Sequence, residues 1–152
     1  MQSMNRPKLL KLYEDDLKNK PYFTMEINVR WEEMDINGHI NYANYLNYYG
    51  EARFHALGPE IFLALRKENI GAVVYKAELE FIKELFHPDT VHIVTWVDSS
   101  ISKTRTSIGQ RIYSVSSNQL ISSALFYVIF MDTTRRKPVR TPLTIAEKFG
   151  LK

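Results

Sequence analysis

Residues 42–57 carry the one long amphipathic helical pattern of the chain, and four strand-like segments follow it. Asn41 stands where a helix N-cap is expected, and Gly58-Pro59 is a typical stop. One broad face of the predicted helix carries Tyr42, Tyr45, Tyr49, Ala52 and Ala56. Such a face must be buried, which predicts a helix packed against a sheet.

The strand-like segments alternate apolar and polar residues with a period of two. They cover residues 22–31, 73–82, 91–97, 103–115 and 120–131. The last is apolar on both faces, which predicts an interior strand. Shorter helical patterns cover residues 8–18, 60–67 and 142–149. We therefore predict an α+β fold in which an antiparallel sheet of about five strands wraps one long helix, with the last four strands in a meander.

The chain has 152 residues, which is the size of one domain. No repeat and no linker divides it. We expect a single domain over residues 1–152, with a core at about 22–143. An N-terminal helix within residues 1–20 and a tail at 144–152 complete this prediction.

Composition excludes several classes of function. There is no cysteine, hence no disulfide, thiolate metal site or cysteine nucleophile, and a cytoplasmic location is expected. The longest apolar stretch, residues 124–131, is shorter than the ~18 residues of a membrane-spanning helix, so no membrane partner is expected. A net charge of +3 suits a phosphorylated ligand but is too small to indicate a nucleic-acid partner.

The segment before the long helix carries the residues most suited to chemistry. Asp35, Asn37, His39 and Asn41 occupy every second position, with Gly38 among them. The first N–H groups of a helix lack internal partners and lie at the positive end of its dipole, where a developing oxyanion is stabilised. We expect the N–H groups of Tyr42 and Ala43 to play that part.

Asp35 can act as a general base toward water or attack a carbonyl carbon itself. His39 can hold or pass on a proton, and Asn37 can orient the water or the carboxylate. These residue types are also ordinary in turns and helix caps, so the pattern alone is compatible with a structural role.

The same residues carry a family resemblance. The run Asp35-x-Asn37-Gly38-His39-x-Asn41-x-x-x-Tyr45, followed by Tyr48-Tyr49-Gly-Glu51-Ala52-Arg53, resembles the hotdog-fold acyl thioesterases. It is similar to the 4-hydroxybenzoyl-CoA thioesterase type and to the plant acyl-carrier-protein thioesterases. The likeness covers about residues 22–143.

The resemblance implies a homodimer or homotetramer with active sites at subunit interfaces. It implies that Asp35 is the base or nucleophile, that Asn37 and His39 belong to the plant-type motif, and that the Tyr42 N–H polarises the thioester carbonyl. Glu51 matches an acidic position in the long helix. The 4-hydroxybenzoyl-CoA enzyme has no histidine at the position of His39, so both an anhydride route and a general-base route stay open.

Basic residues are candidates for the phosphates of coenzyme A. We assign Lys103 and Arg105 to substrate binding, together with Gly38 and Asn41 of the turn. Arg111 lies six residues from Arg105 on the same strand face, and the two are expected to lie together. No set of three or four metal ligands is suggested, and no cofactor is expected beyond the coenzyme A or carrier protein of the substrate.

Three functions compete for this pattern. Hydrolysis of an acyl-CoA or acyl-carrier-protein thioester uses Asp35 directly. A hydratase of the same fold resembles Asp-x-Asn-Pro-x-His, whereas here Gly38 replaces the proline and His39 comes four residues after Asp35. A non-catalytic acyl-CoA-binding protein would not need Asp35. The sequence favours hydrolysis.

Overall fold

A computed structural model describes residues 2–151, with side chains described from residue 8 onward. Its helices are α1 (Gln2–Leu17), α2 (Tyr42–Leu57), α3 (Pro59–Lys67) and α4 (Leu143–Lys148), and a 3-10 turn covers Trp31–Glu33. Its strands are β1 (Tyr22–Asn28), β2 (Ile70–Phe81), β3 (Thr90–Ser100), β4 (Arg105–Ser114), β5 (Gln119–Asp132) and β6 (Lys137–Pro138). The predicted antiparallel sheet around one long helix is confirmed.

The strand order is β1-β3-β4-β5-β2, with the short β6 paired to β5. Only β3, β4 and β5 form a meander, so the predicted meander of four strands is wrong. β2 pairs with β5 rather than β3, because the connection 82–89 carries the chain from one edge of the sheet to the other side. Apolar alternation indicates that a strand exists but does not indicate its neighbour. The prediction of an interior position for β5 is confirmed.

Helix α2 packs on the concave face of the sheet. Its buried residues are Tyr45, Tyr48, Tyr49, Ala52 and Ala56. The Tyr49 hydroxyl donates to Ser122 Oγ at 2.6 Å, which joins the helix to β5. Tyr42 was predicted on the buried face, but it is 70% exposed because it lies at the open end of the helix, where its ring packs edge-on against Phe81.

Helix α1 covers part of the convex face. Its Leu9, Tyr13 and Leu17 are buried against strand residues that include Trp96 and Tyr113. None of the helices in the described part of the chain is long and apolar enough to cross a membrane.

Gly109 on β4 lies directly beneath the Trp96 ring. A Cβ atom at this position would lie 2.3 Å from Trp96 Cε2. We predict that Gly109→Ala lowers the free energy of unfolding by about 1–3 kcal/mol, because the indole must leave its packed position. Urea unfolding would measure the change, and a midpoint equal to wild type would contradict this packing.

Gly50→Ala is the matched control for that prediction. Gly50 lies inside α2, where an added Cβ would meet only Arg53 Nη2 at 3.8 Å. Removing a helical glycine without a clash should raise stability, by about 0.5–1 kcal/mol. The two glycine substitutions should therefore shift the unfolding midpoint in opposite directions.

Candidate active site

A tight turn presents the predicted residues in front of α2. Met34 and Ile40 form an antiparallel bridge, and the Asp35 N–H donates to the His39 carbonyl at 2.7 Å. The Gly38 N–H donates back to the Asp35 carbonyl at 3.0 Å. Gly38 closes the turn at φ +80°, a left-handed conformation that glycine adopts without strain. Open space surrounds the position of its missing Cβ.

The Asp35 carboxylate is held by one oxygen. Its Oδ1 accepts from the backbone N–H of Asn37 at 2.9 Å and from that of His39 at 3.4 Å. Its Oδ2 accepts no hydrogen bond from the described residues. Since the side chain is half-buried and lines a cleft, Oδ2 is available to a water molecule or a substrate.

At the start of α2, one backbone N–H has no hydrogen-bond partner among the described residues. Asn41 caps the helix, and its Oδ1 accepts from the Ala43 N–H at 3.0 Å. The Asn44 N–H donates to the Asn41 carbonyl at 3.0 Å. Ala43 was expected to supply a second oxyanion donor, but its N–H is occupied by the cap. The Tyr42 N–H alone has no partner among the described residues.

A cleft of about 580 Å³ opens beside this amide. Its lining includes Asp35 and His39 from the turn and Tyr42 from the helix. The opposite wall is the segment that leaves β2, residues 81–85. Phe81 packs edge-on against Tyr45 with 5.2 Å between ring centroids. The turn, the helix start and the end of β2 therefore enclose one space.

His39 is directed toward the far wall of this cleft. Its Nε2 lies 3.7 Å from Glu84 Oε2, and its ring is perpendicular to the Phe86 ring with 5.1 Å between the ring centroids. Its side chain is 32% exposed. It therefore lies within the cleft with access to solvent.

Sequence reasoning missed the groups that fix the turn to the helix. The Tyr48 hydroxyl donates to Glu33 Oε1 at 2.8 Å, and burial together with this bond raises the pKa of Tyr48. The Glu33 carbonyl accepts from the Asn41 N–H at 2.8 Å and from Asn44 Nδ2 at 3.1 Å. No local sequence signal indicates these contacts, because Glu33 and Tyr48 meet only once the turn has folded back.

Two other predicted residues, Asn37 and Glu51, lie outside the lining of the cleft in the single chain. Asn37 is exposed in the turn, and only its backbone N–H contacts Asp35. Glu51 is exposed on α2, about 13 Å along the axis from Tyr42. Neither residue lines the cleft.

The candidate phosphate-binding residues lie at the opposite end of the sheet. Arg105 opposes Ile129 of β5 while Phe81 of the cleft opposes Ser122, and seven residues of strand correspond to about 23 Å. The Arg105 guanidinium lies over the Tyr75 ring at 5.0 Å, and Lys103 is exposed in the turn before β4.

Arg111 does not join Arg105, so that expectation is wrong. Six residues of extended strand separate the two by about 20 Å. Arg111 Nη1 donates instead to Asp16 Oδ2 at 3.0 Å, and its guanidinium lies 5.1 Å from the Trp96 ring centroid. It therefore helps to hold α1 on the sheet.

No group of three or more His, Asp or Glu side chains in the described part of the chain is arranged to hold a metal ion. The features that remain are one carboxylate with a free oxygen and one helix-terminal N–H, both beside the same cleft.

A sheet curled around one helix, with this cleft at the start of the helix, is the architecture of the hotdog fold. Residues 29–149 match the model of the thioesterase-like superfamily, so the chain belongs to that superfamily. The acyl-CoA thioester hydrolase YbgC of Escherichia coli O157:H7 is 29% identical over 133 residues, which cover 86% of this chain and 98% of YbgC.

Solved structures agree with this assignment. The DHNA-CoA thioesterase of Staphylococcus aureus is 26% identical, with a TM-score of 0.70 over 78% of this chain and 80% of the other. Slr0204 of Synechocystis, a 1,4-dihydroxy-2-naphthoyl-CoA thioesterase, has a TM-score of 0.75 at 18% identity over 84% of this chain and 95% of the other, a likeness of fold alone.

Proposed function

We propose that this thioesterase hydrolyses acyl thioesters of coenzyme A or of an acyl carrier protein in the cleft at the start of α2. The observation that carries the proposal is the pairing of Asp35, whose Oδ2 is free, with the unfilled Tyr42 N–H beside one cleft. Gly38 shapes the turn, and Asn41 caps the helix that presents the amide. The name of the YbgC relative, an acyl-CoA thioester hydrolase, supports the same substrate class.

Hydrolysis adds one water across the C–S bond of the thioester. In the general-base route, Asp35 takes a proton from water, and the resulting hydroxide attacks the carbonyl carbon. The carbonyl oxygen becomes anionic and accepts from the Tyr42 N–H. The tetrahedral intermediate then expels the thiolate, which receives the proton that Asp35 took from water, either through a water molecule or by way of His39. The products are a carboxylic acid and a thiol.

The alternative route begins with attack by Asp35 Oδ2 on the carbonyl carbon. The C–S bond breaks, the thiolate leaves, and a mixed anhydride links Asp35 to the acyl group. Water then hydrolyses the anhydride and restores the carboxylate. Both routes need the same free oxygen and the same amide, and both consume one water.

A second copy of the chain would complete the substrate site. Strand β2 is an edge strand whose side chains are exposed on both faces from Ala72 to Glu78. An uncovered edge of this length favours pairing with another strand. If β2 pairs antiparallel with β2 of a second copy, the strands of the two sheets run in opposite directions along the shared edge. This pairing would bring Arg105 and Lys103 of one copy toward the cleft of the other, where phosphates of the substrate can meet them.

We therefore expect a homodimer or homotetramer in solution. Multi-angle light scattering at micromolar concentration should give a mass two or four times the 17.8 kDa of one chain. A monomeric mass at that concentration, with full activity, would contradict the shared site. A cytoplasmic location and the lack of a cofactor stay predictions from the sequence.

The direct test is a panel of acyl-CoA thioesters with short, long and aromatic acyl groups. A thiol reagent measures the release of free coenzyme A from each. We expect turnover of at least one acyl class and release of one thiol per acid formed. Binding of acyl-CoA without release of thiol across the panel would instead favour the non-catalytic alternative.

A further inference from the structure

A second cavity, of about 660 Å³, lies between the C-terminal half of α2, α3, α4 and the sheet. It shares no lining residue with the cleft at Asp35. Its walls are mainly apolar and include Leu57, Phe62, Ile108, Val128 and Phe130. The volume falls within the range of about 300–1,000 Å³ that is usual for small-molecule sites.

One charged side chain reaches this apolar space from α2. Arg53 lines the cavity and is partly buried, with its guanidinium carbon 4.0 Å from the centroid of the Phe126 ring. Its Nη1 donates to Gln110 Oε1 at 2.9 Å, and this is its one hydrogen bond among the described residues. No carboxylate of the described chain lies within ion-pair distance of it. Most of its five N–H donors are therefore unused.

Gln110 fixes the direction of this guanidinium. Gln110 is fully buried, and its Nε2 donates to the Tyr49 carbonyl at 3.0 Å and to Thr95 Oγ1 at 2.9 Å. With both amide protons engaged, its Oε1 is turned toward Arg53. A buried polar chain thus holds the cation at the cavity wall rather than letting it extend into water.

The charge at this wall lacks an internal counter-ion. Burial lowers the pKa of Arg53 to about 10, so the side chain is still charged at neutral pH. A cation removed from water is costly unless an anion or several acceptors meet it. The Phe126 ring and one amide oxygen replace only part of the lost hydration.

The other charged residue of the lining has the same sign. Arg66 is exposed at the cavity, and no aspartate or glutamate of the described chain lines it. Phe54 and Phe62, which are 49% and 36% exposed, form the mouth of the cavity. Their rings pack edge-on with 5.1 Å between the ring centroids. The cavity therefore has an apolar entrance and mainly apolar walls with a few neutral polar residues, and the charged groups of its lining are both cations.

We propose that this cavity binds an apolar monocarboxylic acid, with its carboxylate on Arg53 and its hydrocarbon part along the walls. A guanidinium donates two parallel N–H···O bonds to a carboxylate, and the unused donors of Arg53 suit that geometry. A single buried cation matches a monoanion better than a phosphate dianion. The site is separate from the cleft and goes beyond the proposed hydrolysis, so it does not depend on Asp35.

Isothermal titration of the full chain with decanoate and with decanol tests the proposal. The two probes have the same chain length and differ in charge. We expect decanoate to bind at least about tenfold more tightly than decanol, because only the carboxylate gains charge-assisted hydrogen bonds. Equal affinities, or no binding of either probe, would overturn the proposal.

Two variants locate the site. Arg53→Gln removes the charge and should weaken decanoate binding at least about tenfold while leaving decanol unchanged. Ala72 is exposed on β2 and lines the cavity, so Ala72→Trp should fill the space and abolish binding of both probes. Because Ala72 also lies on the edge proposed to pair with a second copy, light scattering must show that this variant keeps the wild-type mass. The matched control Arg136→Gln removes an exposed arginine from the turn after β5 and should bind as wild type.

Arg53 also contacts Gln110, so circular dichroism must verify that Arg53→Gln is folded. If Arg53→Gln is not folded, the proposal is tested by Ala72→Trp, which keeps Arg53, together with the comparison of decanoate and decanol. Decanoate that still binds Ala72→Trp with wild-type affinity would overturn the proposal. Because titration needs no turnover, an inactive enzyme that binds decanoate would refute only the proposed hydrolysis.

Discussion

Replacing Asp35 with Asn should lower the rate of acyl-CoA hydrolysis by at least about 100-fold while the protein stays folded. The amide keeps an oxygen that can accept from the Asn37 and His39 N–H groups, so the turn should persist. It loses the basic, nucleophilic oxygen that both routes require. Thiol release at saturating substrate measures the effect, and thermal unfolding checks the fold.

Glu32→Gln is the matched control for that substitution. Glu32 is an exposed carboxylate three residues before Asp35, paired with Arg30 and absent from the cleft lining. Its loss should leave the rate of hydrolysis near wild type. If Asp35→Asn hydrolysed thioesters as fast as Glu32→Gln, neither route through Asp35 would stand.

Replacing Tyr42 with Pro should reduce kcat by about 100- to 1,000-fold, because it deletes the unfilled N–H without deleting the helix. Proline is favoured at the first position of a helix, where the N–H has no internal partner. Asn41 already has φ −59° and ψ 134°, the extended conformation that a residue before proline adopts. Helix α2 should therefore begin at the same residue.

Tyr42→Ala is the comparison that isolates the amide. It removes the same exposed ring, including the contact with Phe81, but keeps the N–H. Steady-state kinetics should place the loss of Tyr42→Pro mainly in kcat, whereas Tyr42→Ala should retain most of kcat. Equal kcat values for the two variants would exclude the amide as the oxyanion donor.

The bounds of α2 could be predicted because their signals are local. Asn41 caps the helix through its own side chain, and Gly58 ends it with φ +86°, so residue type and backbone geometry coincide. The turn that carries Asp35 and His39 is local for the same reason, since it is closed by the bridge between Met34 and Ile40.

The far wall of the cleft could not be predicted, because it depends on contacts between distant residues. Phe81 and Glu84 reach Asp35 only because β2 pairs with β5, and nothing in residues 70–81 specifies that partner. The separation of Arg105 from the cleft follows from the registers of β2 and β4 on β5, and its separation from Arg111 follows from the six residues of extended strand between them. The Ala43 N–H is not available as an oxyanion donor because the side chain of the predicted cap, Asn41, accepts its hydrogen bond.

The pairing of β2 with β5 also bears on how the chain folds during synthesis. Ile70–Phe81 must wait for Gln119–Asp132 before it can join the sheet. Until residues up to about 132 have left the ribosome, the cleft wall formed by residues 81–85 lacks the strand with which it pairs. Nascent chains that end before β5 should therefore leave uncovered the part of α2 that packs on β5, which includes Tyr49.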